Sequence, residues 1–239
     1  MVHIKNILHI IYCKGTLNFL YKYIYNLIFG RKTFQKHLNI KNNFEKKIDL
    51  LKSQKILVGL DKQNINYNIP FLYEVLKNND YIKKSFNGLI IGCFEGHSTL
   101  FFLMHTENSL FYCVDNWDQS KLIKYSLDAE GFFDKNISLF QIRTKKIKNT
   151  SYDFFQNNKK IFNFIYVDGS HLEVEVEFDC INSFKNLESN GIMIINSLFW
   201  RGFKKLSKNN LSGVIKFLKK VKGYQILFIT RNTLIIKKI

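Results

Sequence analysis

Proline is nearly absent from this chain: Pro70 is the only one in 239 residues, beside twelve glycines. That excludes a collagen-like repeat, a proline-rich linker and a low-complexity tail, and no internal repeat is visible. Cysteine is scarce as well. Cys13, Cys93, Cys113 and Cys180 stand far apart with no C-x-x-C pair, which excludes a disulfide framework and a zinc-ribbon spacing. A reducing cytoplasm is the compartment this usage fits. Acidic residues are outnumbered, 19 against 36 Lys and Arg, for a net charge of +17. The lysines are spread along the whole chain among Asn, Ile, Phe and Tyr, so compositional bias and solvated faces account for the charge. Nucleic acid is not expected as a partner. No apolar run reaches the ~18 residues of a membrane-spanning helix, and no small-residue cleavage site marks a signal peptide.

What is present is a large apolar inventory. The sequence is 46% hydrophobic and 15% aromatic, enough for one sizeable core or a domain with an extension. From Leu17 the apolar positions Leu17, Leu20, Ile24, Leu27 and Ile28 recur at helical spacing, with Lys22 on the far side. Such a helix packs on the main domain or on a second subunit, or else residues 1–38 lie on an anionic membrane surface. Residues 1–69 are expected to be a helical extension and residues 70–239 the main domain.

From Pro70 onward helical and strand patterns alternate. Helices are predicted over 70–84, 97–106, 118–134, 172–187 and 212–221. Strands are predicted over 88–92, 110–115, 137–142, 162–168, 191–196, 224–230 and 233–239. Such alternation implies an α/β fold with a mostly parallel sheet covered on both faces. Only Arg231-Asn232 separate the last two strands, so they must form an antiparallel C-terminal hairpin.

The turn after the first predicted strand, "GLIIGCFEGHST", is where such folds hold cofactors. A dinucleotide fingerprint needs glycine where Phe94 and His97 stand, and Phe94 bars the close approach of a pyrophosphate. The turn keeps Gly92 and Gly96 without a Walker lysine. Asp115 ends the next strand 23 residues beyond Gly92, where an acid can accept the ribose hydroxyls of an adenosine cofactor. Its blander role is to start a turn with Asn116. Trp117 follows, placed to stack near the adenosine.

"GLIIGCFEGHST", "FYCVDNWD", "FNFIYVDGSH" and "NLESNGIMII" resemble, in order and spacing, the successive motifs of class I S-adenosylmethionine-dependent methyltransferases. The subgroup they are most similar to includes macrocin-type O-methyltransferases and cephalosporin-hydroxylase-like proteins, and the likeness covers about residues 71–239. The resemblance implies a Rossmann-like, doubly wound α/β fold with a mostly parallel seven-stranded sheet, and S-adenosylmethionine as cofactor. Gly92, Phe94, Gly96 and Ser98 would line its seat, with Asp115 on the ribose and Trp117 beside it. It implies that Asp168 faces the transferred methyl and the acceptor, a small molecule or a sugar. Ile90 departs from the pattern, since the subgroup places an acid there. Arg143-Thr144-Lys145 depart where relatives carry small or acidic residues beside the adenine.

On the acceptor side, "VDGSH" brings Asp168 and His171 to the carboxyl end of a strand. His171 is a candidate general base or a residue that orders the loop. Glu173, Glu175 and Glu177 alternate and so do not share a helix face; they suit a first helical turn. Val174, Phe178, Ile181 and Phe184 are expected to be that helix's buried face. Asn196-Ser197 stand where metal-dependent members of the superfamily carry an acid pair or Asp-Asn. With both charges gone no tightly bound Mg²⁺ is predicted: either His171 works without metal or a metal site is weakened. Trp200 and Arg201 could cover the acceptor, Arg201 by pairing with a phosphate or carboxylate. The expected function is an S-adenosylmethionine-dependent methyltransferase acting on a small-molecule or glycan-type hydroxyl. The alternative is a decayed methyltransferase fold that binds a membrane surface or a partner protein.

Overall fold

The computed structural model describes residues 2–60, 65–118 and 128–239. Residues 33–154 form one compact unit, and residues 1–32 with 155–239 form another. Seven strands lie in the order β3-β2-β1-β4-β5-β7-β6, the mostly parallel sheet with a C-terminal hairpin that the alternation predicts.

The first unit carries α3 (Leu38–Ser53), α4 (Ile65–Asn78), β1 (Phe86–Ile91), α5 (His97–His105), β2 (Ser109–Asp115), α6 (Ala129–Ile137) and β3 (Thr144–Lys148). β1 pairs in parallel with β2, which sets Ile91 opposite Val114. Leu89, Ile90 and Ile91 are at most 2% exposed, the unbroken apolar run expected of a strand covered on both faces. Gly88 belongs to this packing, because a Cβ there would run into the Phe111 ring.

Three expectations change here. Residues 138–143 form a 3-10 turn rather than a strand, and the strand is the polar segment that follows, Thr144–Lys148, parallel to β2. As the edge of the sheet it can accept lysines, whose stems cover apolar surface. Lys145 lies 5.3 Å from the Tyr112 ring and Lys146 5.0 Å from the Trp117 ring. Arg143 turns the preceding loop by donating to the carbonyls of Thr106 and Leu103 at 2.5 and 2.7 Å. The helix expected from Pro70 begins at Ile65. Of the helix expected over 118–134, residues 119–127 lie outside the described residues, and α6 begins at Ala129.

The second unit holds α1 (Val2–Tyr12), most of α2 (Leu17–Lys36), β4 (Phe162–Val167), α8 (Glu173–Lys185), β5 (Leu187–Ile195), α9 (Asn210–Lys220), β6 (Tyr224–Ile229) and β7 (Leu234–Lys238); α7 (Ser151–Asn157) spans the two units' boundary in sequence. β4 and β5 are parallel, with Val167 opposite Ile195. β5 and β7 are antiparallel, with Ile195 opposite Leu234. The carboxyl ends of β4 and β5 and the start of β7 therefore meet, and that meeting builds the acceptor-side cluster.

The buried stripe of α8 is rotated from the one expected. Glu173, Val176, Asp179, Cys180, Ser183 and Phe184 are buried, whereas Val174 is 57% exposed. α9 is the cause. Gly213 brings its backbone against α8 so closely that a Cβ would collide with the Glu173 carbonyl. Lys216 and Lys220 of α9 pair with Glu173 and Glu177: four residues apart, these two acids do share a face, and both are spent on helix packing.

Candidate functional site

The chain turns sharply after β1 because three residues take positive φ: Gly92 (82°), Phe94 (47°) and Gly96 (90°). Glycine bears such values without strain, and phenylalanine does not. The Phe94 conformation is held from outside the turn. Asp115 Oδ2 accepts the backbone N–H groups of Cys93 at 2.8 Å and Phe94 at 2.9 Å, and Oδ1 accepts that of Trp117 at 2.8 Å. The Trp117 indole nitrogen donates to the Phe94 carbonyl at 2.9 Å. Its ring packs 4.9 Å from Phe133 and is only 2% exposed.

Asp115 is thus the fastener of the turn. A carboxylate offers about four lone-pair sites; these three bonds use three, and Oδ1 keeps capacity for a ligand hydroxyl. Trp117, expected to flank an adenosine, is a buried strut behind the turn. Ser98 is also buried, in the first turn of α5. His97 beside it is pushed down to about 4 by burial and is neutral at pH 7; its ring stacks on Phe44 at 5.6 Å.

Sequence reasoning missed the group that fastens the other side of this turn. Glu95 is 3% exposed, and its Oε2 accepts the Leu60 N–H at 2.5 Å. Asn136 of α6 bridges the same segments: its amide donates to the carbonyls of Glu95 (2.8 Å) and Val58 (3.0 Å) and accepts the Val58 N–H at 2.9 Å. Gly59 and Leu60 both take positive φ here. A Cβ on Gly59 would stand 2.7 Å from Glu95 Oε2. An acid between the two glycines of a cofactor turn was the available signal.

The second cluster forms where β4, β5 and β7 meet. Asp168 follows β4, Asn196 and Ser197 follow β5, and Thr233 precedes β7. Asn196 donates its amide to Asp168 Oδ2 at 2.9 Å, and Ser197 donates its hydroxyl to Oδ1 at 3.0 Å. Thr233 donates to Asn196 Oδ1 at 2.8 Å, which fixes the amide with nitrogen toward Asp168. Asn210 of α9 donates to the Ser197 carbonyl at 2.8 Å and supports its positive φ of 56°. Burial raises Asp168 to about 6 against the pull of Asn196, Ser197 and Tyr166. It is mostly ionised at pH 7.

His171 lies one loop further on, its ring 4.6 Å from that of Trp200. Burial lowers its pKa against a backbone hydrogen bond at Ser170, so it is a neutral imidazole at pH 7, with Nδ1 closed off from solvent. Arg201, expected to pair with an acceptor, is turned the other way. It donates to the Lys5 carbonyl at 2.7 Å, to Asn6 Oδ1 at 3.1 Å and to His9 Nδ1 at 3.3 Å, all on α1. Phe199 in the same loop packs 5.2 Å from Tyr23 of α2.

The Asp168 cluster does not suit a divalent cation. Mg²⁺ wants several oxygen ligands, and Asp168 instead faces an N–H and an O–H, both donors. Among the described residues no group of three His, Cys, Asp or Glu side chains is arranged to hold a metal. The weakened metal site that Asn196-Ser197 suggested is thus a site of another kind, a carboxylate balanced by hydrogen bonds.

Residues 89–198 match the family model described as a methyltransferase domain. No curated protein matches the sequence. Solved structures share the fold at low identity. A putative rRNA methylase from Clostridium thermocellum is 13% identical, over 72% of this chain and 97% of its own, with a TM-score of 0.55. A putative caffeoyl-CoA O-methyltransferase from Staphylococcus aureus is 17% identical, over 87% and 98%, with the same score of 0.55. MycE, the methyltransferase of mycinamycin biosynthesis solved with Mg, S-adenosylhomocysteine and mycinamycin VI, is 16% identical over 74% of this chain and 50% of its own, at 0.55. At these identities the likeness is one of fold.

Proposed function

We propose, from the premise that residues 89–198 are a class I methyltransferase domain, that the protein transfers a methyl group from S-adenosylmethionine to a hydroxyl of a small-molecule or glycan-type acceptor. The observation that carries the reading is the Asp115 clasp on the Gly92–Gly96 turn. It holds Phe94 at a position that rejects a pyrophosphate and leaves acceptor capacity on Oδ1, beside the Trp117 N–H, for a ribose hydroxyl. We assign Gly92, Phe94, Gly96 and Ser98 to the walls of that seat, Trp117 to its support, and residues 70–239 to the catalytic domain. The putative caffeoyl-CoA O-methyltransferase among the structural relatives favours a hydroxyl acceptor.

Bound S-adenosylmethionine supplies a sulfonium methyl open to in-line displacement. The chain's own task is to place the acceptor oxygen and take its proton. We assign the proton to neutral His171, whose lowered pKa keeps it a base near neutrality. The Asp168 carboxylate, held by Asn196 and Ser197, orients the acceptor hydroxyl and offsets the imidazolium that forms. Trp200 flanks His171, and no metal step is needed.

Calorimetry on the full chain tests this. S-adenosylmethionine and S-adenosylhomocysteine should both bind, in the micromolar range. Absence of heat at roughly millimolar ligand, about −4 kcal/mol, would instead assign the chain to a decayed fold that binds without methylating. The unpaired cysteines suit the reducing cytoplasm in which we place the protein.

A further inference from the structure

The first helix is packed inside out. On α1 the buried side chains are Asn6, His9 and Ile10, two of the three polar. Ile4, Leu8, Ile11 and Tyr12 on its other face are 54–63% exposed. Their spacing of four, three and one residues is that of a single helical stripe. α2 buries Phe19, Tyr23 and Gly30 and still leaves a second apolar stripe outside: Leu17 (85%), Tyr21 (62%), Ile24 (39%), Tyr25 (43%), Ile28 (63%) and Phe29 (48%) are exposed at helical spacing. Among the described residues, ten of the 21 large apolar side chains at the surface fall on these two helices. The inversion has a cause inside the fold, since the polar face of α1 is needed to bind Arg201, and Asn6 also donates to the buried Tyr23 hydroxyl at 3.0 Å.

Charge selects what covers the outer face. Residues 1–36, which hold both helices, contain Lys5, Lys14, Lys22, Arg31, Lys32 and Lys36 and not one Asp or Glu, and of these Lys36 pairs with Glu74. No described helix is long and apolar enough to cross a membrane. Apolar stripes with tyrosines, basic residues between them and no acid match the face an interfacial helix presents to anionic headgroups. We infer that α1 and α2 dock the protein on an anionic lipid bilayer, with Ile4, Leu8, Leu17 and Ile28 entering the acyl boundary and Lys14, Arg31 and Lys32 meeting headgroups. This docking does not rest on the methyl-transfer reading.

Vesicle co-sedimentation of the full chain tests it, with phosphatidylcholine alone and with phosphatidylcholine mixed with phosphatidylglycerol. The protein should sediment with the anionic vesicles several-fold better than with the neutral ones, and less as salt rises. The triple variant Ile4→Gln, Leu8→Gln, Ile28→Gln changes only exposed positions, so its melting temperature should hold while vesicle binding is lost. Three results overturn the inference: no sedimentation with either vesicle, unchanged binding by a folded triple variant, or a dimer in solution that the variant dissolves while vesicles are ignored. The last would make a second copy of the chain the occupant.

Discussion

Asn196 turns its amide nitrogen toward Asp168. Nδ2 donates to the carboxylate at 2.9 Å because the Thr233 hydroxyl, at 2.8 Å, has claimed Oδ1. The carboxylate thus faces the donors of an amide and a hydroxyl.

Methyl transfer should therefore be indifferent to chelation: EDTA leaves the rate unchanged, and added Mg²⁺ does not raise it. Asn196→Asp replaces the donor with a second carboxylate, removing a hydrogen bond worth about 1.5–3 kcal/mol to a charged group and adding repulsion. We expect the rate at pH 7 to fall at least about tenfold, read in a radiolabelled methyl-transfer assay. Strict dependence of the unaltered protein on Mg²⁺ would contradict the hydrogen-bonded assignment.

The same carboxylate makes stability depend on pH. Its folded pKa of about 6 lies above the unfolded ~3.9, so folding favours the protonated form. Stability should fall as pH rises from about 4 to about 6 and then level off. The loss is at most about 3 kcal/mol, because Asp168 keeps partial exposure. Asp168→Asn, frozen in the uncharged form, should gain stability relative to the parent across that window. Urea midpoints at pH 4.5 and 7.5 measure the difference.

His171→Gln should lower kcat by roughly a hundredfold or more and leave S-adenosylhomocysteine affinity intact. In the parent protein the acid limb of the kcat profile should lie below the ordinary histidine value of ~6.5, since burial lowers His171. An unaltered profile in the variant would reduce His171 to a support for Trp200.

Asp115→Ala strands three backbone N–H groups. The expected cost is about 1–3 kcal/mol, seen as roughly 2–4 °C of melting temperature per kcal/mol. Cofactor affinity should fall at least about tenfold by calorimetry. A lower melting temperature with unchanged affinity would confine Asp115 to fastening the turn.

Gly213→Ala puts a methyl group into the Glu173 carbonyl. Overpacking of this kind costs about 1–3 kcal/mol, and thermal melts should show it without any change in cofactor binding.

The parts of this molecule legible in its sequence are those whose cause is local. β1, β2, β4 and β5 announce themselves as apolar runs, and the hairpin follows from two intervening residues. Asp115 could be placed by counting, since an acid at the end of the second strand lies beside the turn after the first. β3 was missed because its identity is conferred by position at the sheet edge, not by apolar content. The rotated stripe of α8 was missed because α9 chose it, through Gly213. The orientation of Asn196 depends on Thr233, 37 residues later, just ahead of β7. Nothing near Arg201 says that it will turn toward the first helix.

That last contact bears on how the protein is handled. Arg201 reaches back 192 residues to His9, so the loop carrying Asn196, Ser197 and Trp200 is moored to the opening segment. Trimming the greasy first helices to improve expression would cut that mooring. The product would behave on a column and stay silent in an assay, and a large amino-terminal tag invites the same trouble. A carboxyl-terminal handle, beyond the exposed Ile239, leaves the mooring alone.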